Sequence, residues 1–146
     1  MSSRDALRII HAASGSIGLA TILGFMVSTV AVEAMGEPAA IAAVKQGIVW
    51  GLLVLVPALA GAGATGARLA GGMKGRKAAR MKIIAPNGLL VLVPAALFLA
   101  DRAAAGVFDG WFYTVQGIEL VAGAVNIALL SLNLRDGLAM RRRRVA

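Results

Sequence analysis

AAIAAVKQGIVWGLLVLVPALAGAGATGA, residues 39–67, is a run of 29 residues with one charged side chain, Lys45. As a helix rising ~1.5 Å per residue it would outreach the ~30 Å hydrocarbon layer of a bilayer. It shows no polar face wide enough to meet water, which a helix on the surface of a soluble domain needs. Three more runs of the same character follow the same reading: Ile9 to Ala31, Met81 to Ala100 and Gly110 to Leu134. The whole chain is 59% hydrophobic and 15% charged, against roughly half and a quarter in a soluble domain. Backbone amides cannot stay unpaired in hydrocarbon, so each run is predicted to be helical. The fold expected is an all-α integral membrane four-helix bundle, one transmembrane domain over residues 1–146.

The charges lie between the runs and predict the order of crossing. Arg4 and Arg8 precede the first span, and Arg68, Lys74, Arg76, Lys77, Arg80 and Lys82 cluster around the connection 68–80. Arg135 and Arg141 to Arg144 occupy the tail 135–146. The other two connections carry Glu33 and Glu37, then Asp101, Arg102 and Asp109. Under the positive-inside rule this gives an up-down-up-down bundle with both termini cytoplasmic. Gly71, Gly72 and Gly75 suit a tight turn in the middle connection. Val32-Glu33-Ala34 resembles a signal-peptide cleavage site, but the run before it is too long for a signal core, so the first span is expected to be retained.

The net charge of +8 is accounted for by orientation signals beside anionic lipid, so membrane lipid is the expected partner and nucleic acid is not. There is no cysteine, which excludes disulfides, thiolate metal sites and c-type haem attachment. No nucleophile–base pair, phosphate loop or carboxylate cluster for a metal appears, and GAGATGA (Gly61 to Ala67) ends a membrane helix instead of joining strand to helix. Small size and an Ala/Gly/Arg-rich composition suggest a bacterial inner membrane. The function expected is that of a non-enzymatic accessory, scaffold or interaction subunit, as a homo-oligomer or within a larger membrane complex. Small residues form packing seams in lipid: Ala12, Ser16, Ala20, Gly24 and Ser28 on the first span, and Gly117, Gly123, Ala124 and Ala128 on the fourth. They serve packing within the bundle or contact with another subunit.

Ionisable groups inside a membrane are costly and point to function. Lys45 lies eight residues after Glu37 and Glu119 ten after Asp109, which puts them roughly 12 and 15 Å from the same boundary. Gln116, Glu119, Gly123, Asn126 and Asn133 share one side of the fourth span, with Gln46 expected at its outer end. Two readings follow: an interhelical clamp between Lys45 and Glu119, or a minimal transport path for a proton, cation or small molecule. Trp111, Phe112 and Tyr113 read as interfacial anchors.

The stretch RIIHAASGSIG (Arg8 to Gly18) resembles the first helix of small membrane b-type cytochromes. The resemblance covers about a dozen residues. It implies haem b, or contact with a quinone, at His11, with Arg8 on a propionate and Gly15 admitting the macrocycle. Those cytochromes supply pairs of histidines. His11 is the chain's single histidine, so a second ligand would come from His11 of another protomer, from Met26 or Met81, or from another subunit. The structural alternative is a histidine bonded to Asn133 or Asn87.

Finally, GLLVLVPA occurs twice, at Gly51 to Ala58 and Gly88 to Ala95. Pro57 and Pro94 should each weaken a turn, freeing the carbonyls of Leu53 and Leu90. Matched kinks are expected, with any cavity opening beside the two prolines, as in the broken helices of transporters with inverted repeats.

Overall fold

The computed structural model describes residues 2–69 and 75–145. The described chain is all-helical, without strands: α1 (Ser3–Met35), α2 (Pro38–Leu69), α3 (Arg76–Pro86), a π-helical segment (Asn87–Leu92), α4 (Val93–Ala104) and α5 (Gly110–Val145). Among the described residues four helical stretches are long and apolar enough to cross a membrane: α1, α2, residues 79–104 and residues 110–139. The turn around Gly71 and Gly72, with Lys74, lies outside the described residues. The tail continues α5 as helix, and the side chains of Arg141 to Arg144 are likewise outside the described set.

Local chemistry sets the helix ends. The Ser2 hydroxyl accepts from the Asp5 N–H at 3.2 Å, and the Ser2 N–H donates back to the Asp5 carboxylate, a capping box that starts α1. Gly36, at φ +67°, closes α1 in the left-handed conformation that only glycine takes without strain. Pro38 then opens α2, where its missing N–H costs nothing. At the start of α5 the Asp109 carboxylate accepts from the Phe112 N–H at 3.0 Å and pairs with Arg102. The hydrogen bond from Arg102, and then that from the Phe112 N–H, hold the Asp109 carboxyl below its ordinary value of 3.8.

Contacts join α1 to α2 and the third span to α5. On α1, His11 meets Thr65, Leu59 closes on Gly18, and Phe25 packs at Gly51 of α2. Arg80 meets Asp136, and Asn87 meets Asn126. The helices form a ring in which α2 and α5 face one another across the diagonal with no close backbone approach. The core is two apolar layers. One holds Val32, Ile41, Leu99, Ala103 and Phe112; the other holds Ile22, Leu55, Ile84 and Leu130.

Two expectations fail here. Phe112 is no interfacial anchor: it is fully buried between α1, α2 and α4, edge-on to Phe108, while Trp111 and Tyr113 are exposed. Helical rotation separates the three, because consecutive residues differ by about 100°. The two copies of GLLVLVPA also adopt different conformations. The first stays within the unbroken α2. The second runs through the π segment, where the Val93 N–H reaches back five residues to the Gly88 carbonyl. Only the second copy follows a proline, Pro86, and packs beside Asn126, whose amide reaches the Ile84 carbonyl at 3.4 Å. A widened turn re-pairs groups that Pro94, lacking an N–H, leaves behind.

Two measurements check this fold. A side chain at Gly51 meets the Phe25 ring, whereas Gly47 faces open space. Gly51→Leu should lower stability by about 1–3 kcal/mol, the range for overpacking, and Gly47→Leu should not, in detergent unfolding titrations. Because the Asp109 value is lowered, its cap is complete above pH 3.8 and is lost only as pH falls through the lower folded value. Hydrogen exchange at the Phe112 amide should therefore stay slow on acidification down to the ordinary carboxylate range and quicken below it.

Candidate functional site

Lys45 sits on the buried stripe of α2 between Ile41 and Ile48, and its side chain is 0% exposed. No apolar position on that stripe could satisfy an ammonium, so it must find a partner in the bundle. The Lys45 Nζ donates to Glu119 Oε2 of α5 at 2.6 Å. Because α2 and α5 are diagonal, this ion pair crosses the centre of the bundle. The Glu119 side chain keeps 13% of its surface accessible. Removing one member of such a pair leaves a charge in low dielectric, while removing both does not.

The other polar positions of α5 divide between levels. Gln116 and Asn126 are buried at 5% and 0% exposure. Asn87 of the π segment donates to the Ala122 carbonyl and to Asn126 Oδ1, both at 2.9 Å. Asn133 accepts from Arg80 at 3.1 Å, and Arg80 also pairs with Asp136 at 2.7 Å. Gln46 turns away from α5 and donates to the Ala100 carbonyl of α4 at 3.1 Å. It is one residue, about 100° of rotation, past Lys45.

His11 does not reach Asn133 or Asn87. Its Nδ1 lies 2.9 Å from the Ala62 carbonyl and 3.2 Å from Thr65 Oγ1, and its ring covers Gly66. Each asparagine has the partners given above, on α3 or α5, while His11 docks onto α2. Arg8 pairs with Asp5 of its own helix, and the Cβ side of Gly15 faces open space.

A cavity of about 40 Å³ lies beside the ion pair, lined by Thr29 of α1, Leu55 of α2, Leu92 and Ala96 of the third span, and Glu119 and Gly123 of α5, among others. That volume admits a few waters and is far below the ~300 Å³ of a small-molecule pocket. Neither Pro57 nor Pro94 lines it. Both prolines are exposed on the outside of the bundle, so their bends do not open its centre. Among the described residues, two buried carboxyl or amide oxygens have no hydrogen-bond partner, Glu33 Oε1 and Gln116 Oε1. No group of three histidine, cysteine, aspartate or glutamate side chains among them could hold a metal.

Sequence reasoning did not assign Thr29, Glu33, Arg80, Asn87 or Asp136 to these contacts. Glu33 and Arg80 carry a visible signal, a charge at a helix end. Thr29 carries none, since threonine is common in membrane helices with its hydroxyl bonded to its own backbone.

No family model, curated protein or solved structure matches the chain.

In a double-mutant cycle, Lys45→Met and Glu119→Gln should each destabilise the bundle by about 3–5 kcal/mol, and the pair together by much less than the sum. Unfolding in mixed micelles, followed by circular dichroism, measures all three.

Proposed function

We propose that the protein is a non-enzymatic interaction subunit of a bacterial inner membrane, crossing it up-down-up-down with both termini cytoplasmic, and that it self-associates or joins a larger complex through α1. One observation carries the reading. Ala12, Ser16, Ala20 and Gly24 form a stripe of small residues on the exposed side of α1, and nothing approaches the Cβ side of Gly24. The seams that close the bundle lie elsewhere, at Gly18 against Leu59 and at Gly51 against Phe25. Apolar burial does not drive helices together in lipid, so association relies on small residues that let backbones approach. Ser28 and Thr21 bond back to carbonyls of α1 itself, at 2.8 Å each.

The orientation rests on the charges. The contacts gather the start of α1, the end of α2, the start of α3 and the end of α5 at one end, and Arg4, Arg68, Arg76, Lys82 and Arg135 are exposed there. Glu37, Asp101 and Asp109 are exposed at the other end. The apolar layer of Ile22, Leu55, Ile84 and Leu130 lies on the basic side of the cavity. It favours a closed bundle over a conducting path through Lys45 and Glu119.

Both parts of the reading can be tested. The native chain has no cysteine, so single cysteines label cleanly. Cysteine at Ser2 or Arg76 should react with an impermeant maleimide only from the cytoplasmic side, and cysteine at Glu37 or Ala105 only from the opposite side. Wild-type protein solubilised from native membrane should run as an assembly larger than one chain. The Ala20→Leu, Gly24→Leu double variant should run as a folded monomer. A wild-type protein that comes out as a lone chain, or a double variant that stays assembled, removes the proposal.

A further inference from the structure

The chain has two tryptophans, and they are equally open, Trp50 at 71% and Trp111 at 70%. Their surroundings differ. Trp111 stands at the start of α5, at the membrane boundary, where an indole N–H meets headgroups and water. Trp50 lies 13 residues after Glu37, roughly 20 Å deeper, about half the thickness of a bilayer. An indole N–H at that depth needs an acceptor, and Trp50 has none among the described residues.

Gln46 supplies the converse. Its Nε2 donates to the Ala100 carbonyl, while its Oε1 accepts from nothing among the described residues. Gln46 is exposed and sits four residues before Trp50, on the same face of α2. Between them nothing approaches the Cβ side of Gly47, which leaves a hollow beside the indole. This face therefore carries a donor, an acceptor, a protruding ring and a hollow. Hydrocarbon offers a partner to neither polar group, so a protein surface has to cover them.

A second copy of the chain fits. Copies inserted in one orientation are related by a two-fold axis along the membrane normal, which sets α2 parallel to its counterpart with equal residues opposite one another. A helical side chain leans toward the N-terminus and covers the turn before its own Cα. On α2 that direction leads from Trp50 to Gly47 and Gln46. Each Trp50 ring then lies over the partner's Gly47, with its N–H directed to Oε1 of the partner's Gln46. One contact, made twice, satisfies every orphan group on both faces. The patch also adjoins the small stripe of α1. Phe25 packs at Gly51, so Gly24 and Trp50, one residue before each, emerge at one level, both exposed.

We propose that the chain forms a two-fold dimer in which α2 packs parallel to α2 of a second copy, held by reciprocal Trp50–Gln46 hydrogen bonds. This rests on the reading that the protein self-associates; it names the partner and adds the outer face of α2 to that of α1.

Two measurements in phosphatidylethanolamine–phosphatidylglycerol liposomes test it. The Trp111→Phe variant keeps Trp50 as its single tryptophan. Its fluorescence should be shielded from lipids brominated at mid-chain, and adding Gly47→Leu, which fills the hollow while the chain stays folded, should expose it. Energy transfer between copies labelled at Ser2→Cys, followed on dilution with lipid, measures the dimer. Trp50→Phe, which keeps a ring and removes the N–H, should weaken association about tenfold, the effect of two hydrogen bonds between membrane helices. Gln46→Leu should do the same, and the two together should weaken it no further than either alone. Absent energy transfer, an unchanged dimer in Trp50→Phe, or additive losses in the double variant would overturn the proposal. A protein that is assembled while Trp50 is fully quenched would overturn it and leave the role of α1 standing. Energy transfer that survives Ala20→Leu with Gly24→Leu but not Gly47→Leu would support it and remove the role of α1.

Discussion

In hydrocarbon a backbone polar group without a partner costs several kcal/mol, because no water is present to supply one. Everything else in this bundle is arranged around that constraint. It makes four long apolar runs into four helices before any tertiary contact is considered. It also explains why the helix ends are built with care: Ser2 and Asp5, Gly36, and Asp109 each satisfy terminal groups that would otherwise lie near the membrane boundary. The same constraint explains the third span. Pro94 cannot donate and would break an isolated turn, yet the helix continues as a widened one in which the Val93 N–H reaches the Gly88 carbonyl. A proline is tolerated there because the widened turn re-pairs the backbone around it.

Polar side chains obey the same rule one level up. Lys45, Glu119, Asn87, Asn126 and Arg80 bridge helices. Apolar layers of Val32 with Phe112, and of Ile22 with Leu130, lie on either side of the central pair. The layers supply dispersion and shape, while the polar bridges fix rotation and register, because a helix turned by one residue would face its amides to lipid. This division follows from the weak hydrophobic drive between helices already in lipid.

What could be read from the sequence follows from which quantity each reading needs. Span number needs only hydropathy summed along the chain, and the four expected runs fall within the four observed helices. The depth of Lys45 and Glu119 needs only a count along each helix, and that count brought two residues 74 positions apart to one level. Rotation about the helix axis is a finer quantity. Phe112 was grouped with Trp111 and Tyr113 because the three are adjacent and aromatic, although only one of them turns inward. Gln46, expected at the outer end of the α5 stripe, bonds instead to the Ala100 carbonyl of α4. His11 was placed by depth opposite Asn133 and Asn87, but depth cannot tell which of three neighbouring helices it faces. The contact with Ala62 and Thr65 depends on the α1–α2 packing angle.

The repeated octapeptide carries the argument one step further. Identical residues at Gly51 to Ala58 and Gly88 to Ala95 take an α-helical and a largely π-helical path. Local propensity is therefore not what decides between them. The difference lies in what precedes and what faces each copy. Pro86 and Asn87 lead the second, and α5 offers it a buried asparagine, whereas the first has lysine and glutamine upstream. In a medium where every backbone group must be paired, a neighbouring amide is as much a part of the helix as its own next turn. Changes at Asn126 should therefore act on the conformation of the third span before they act on packing.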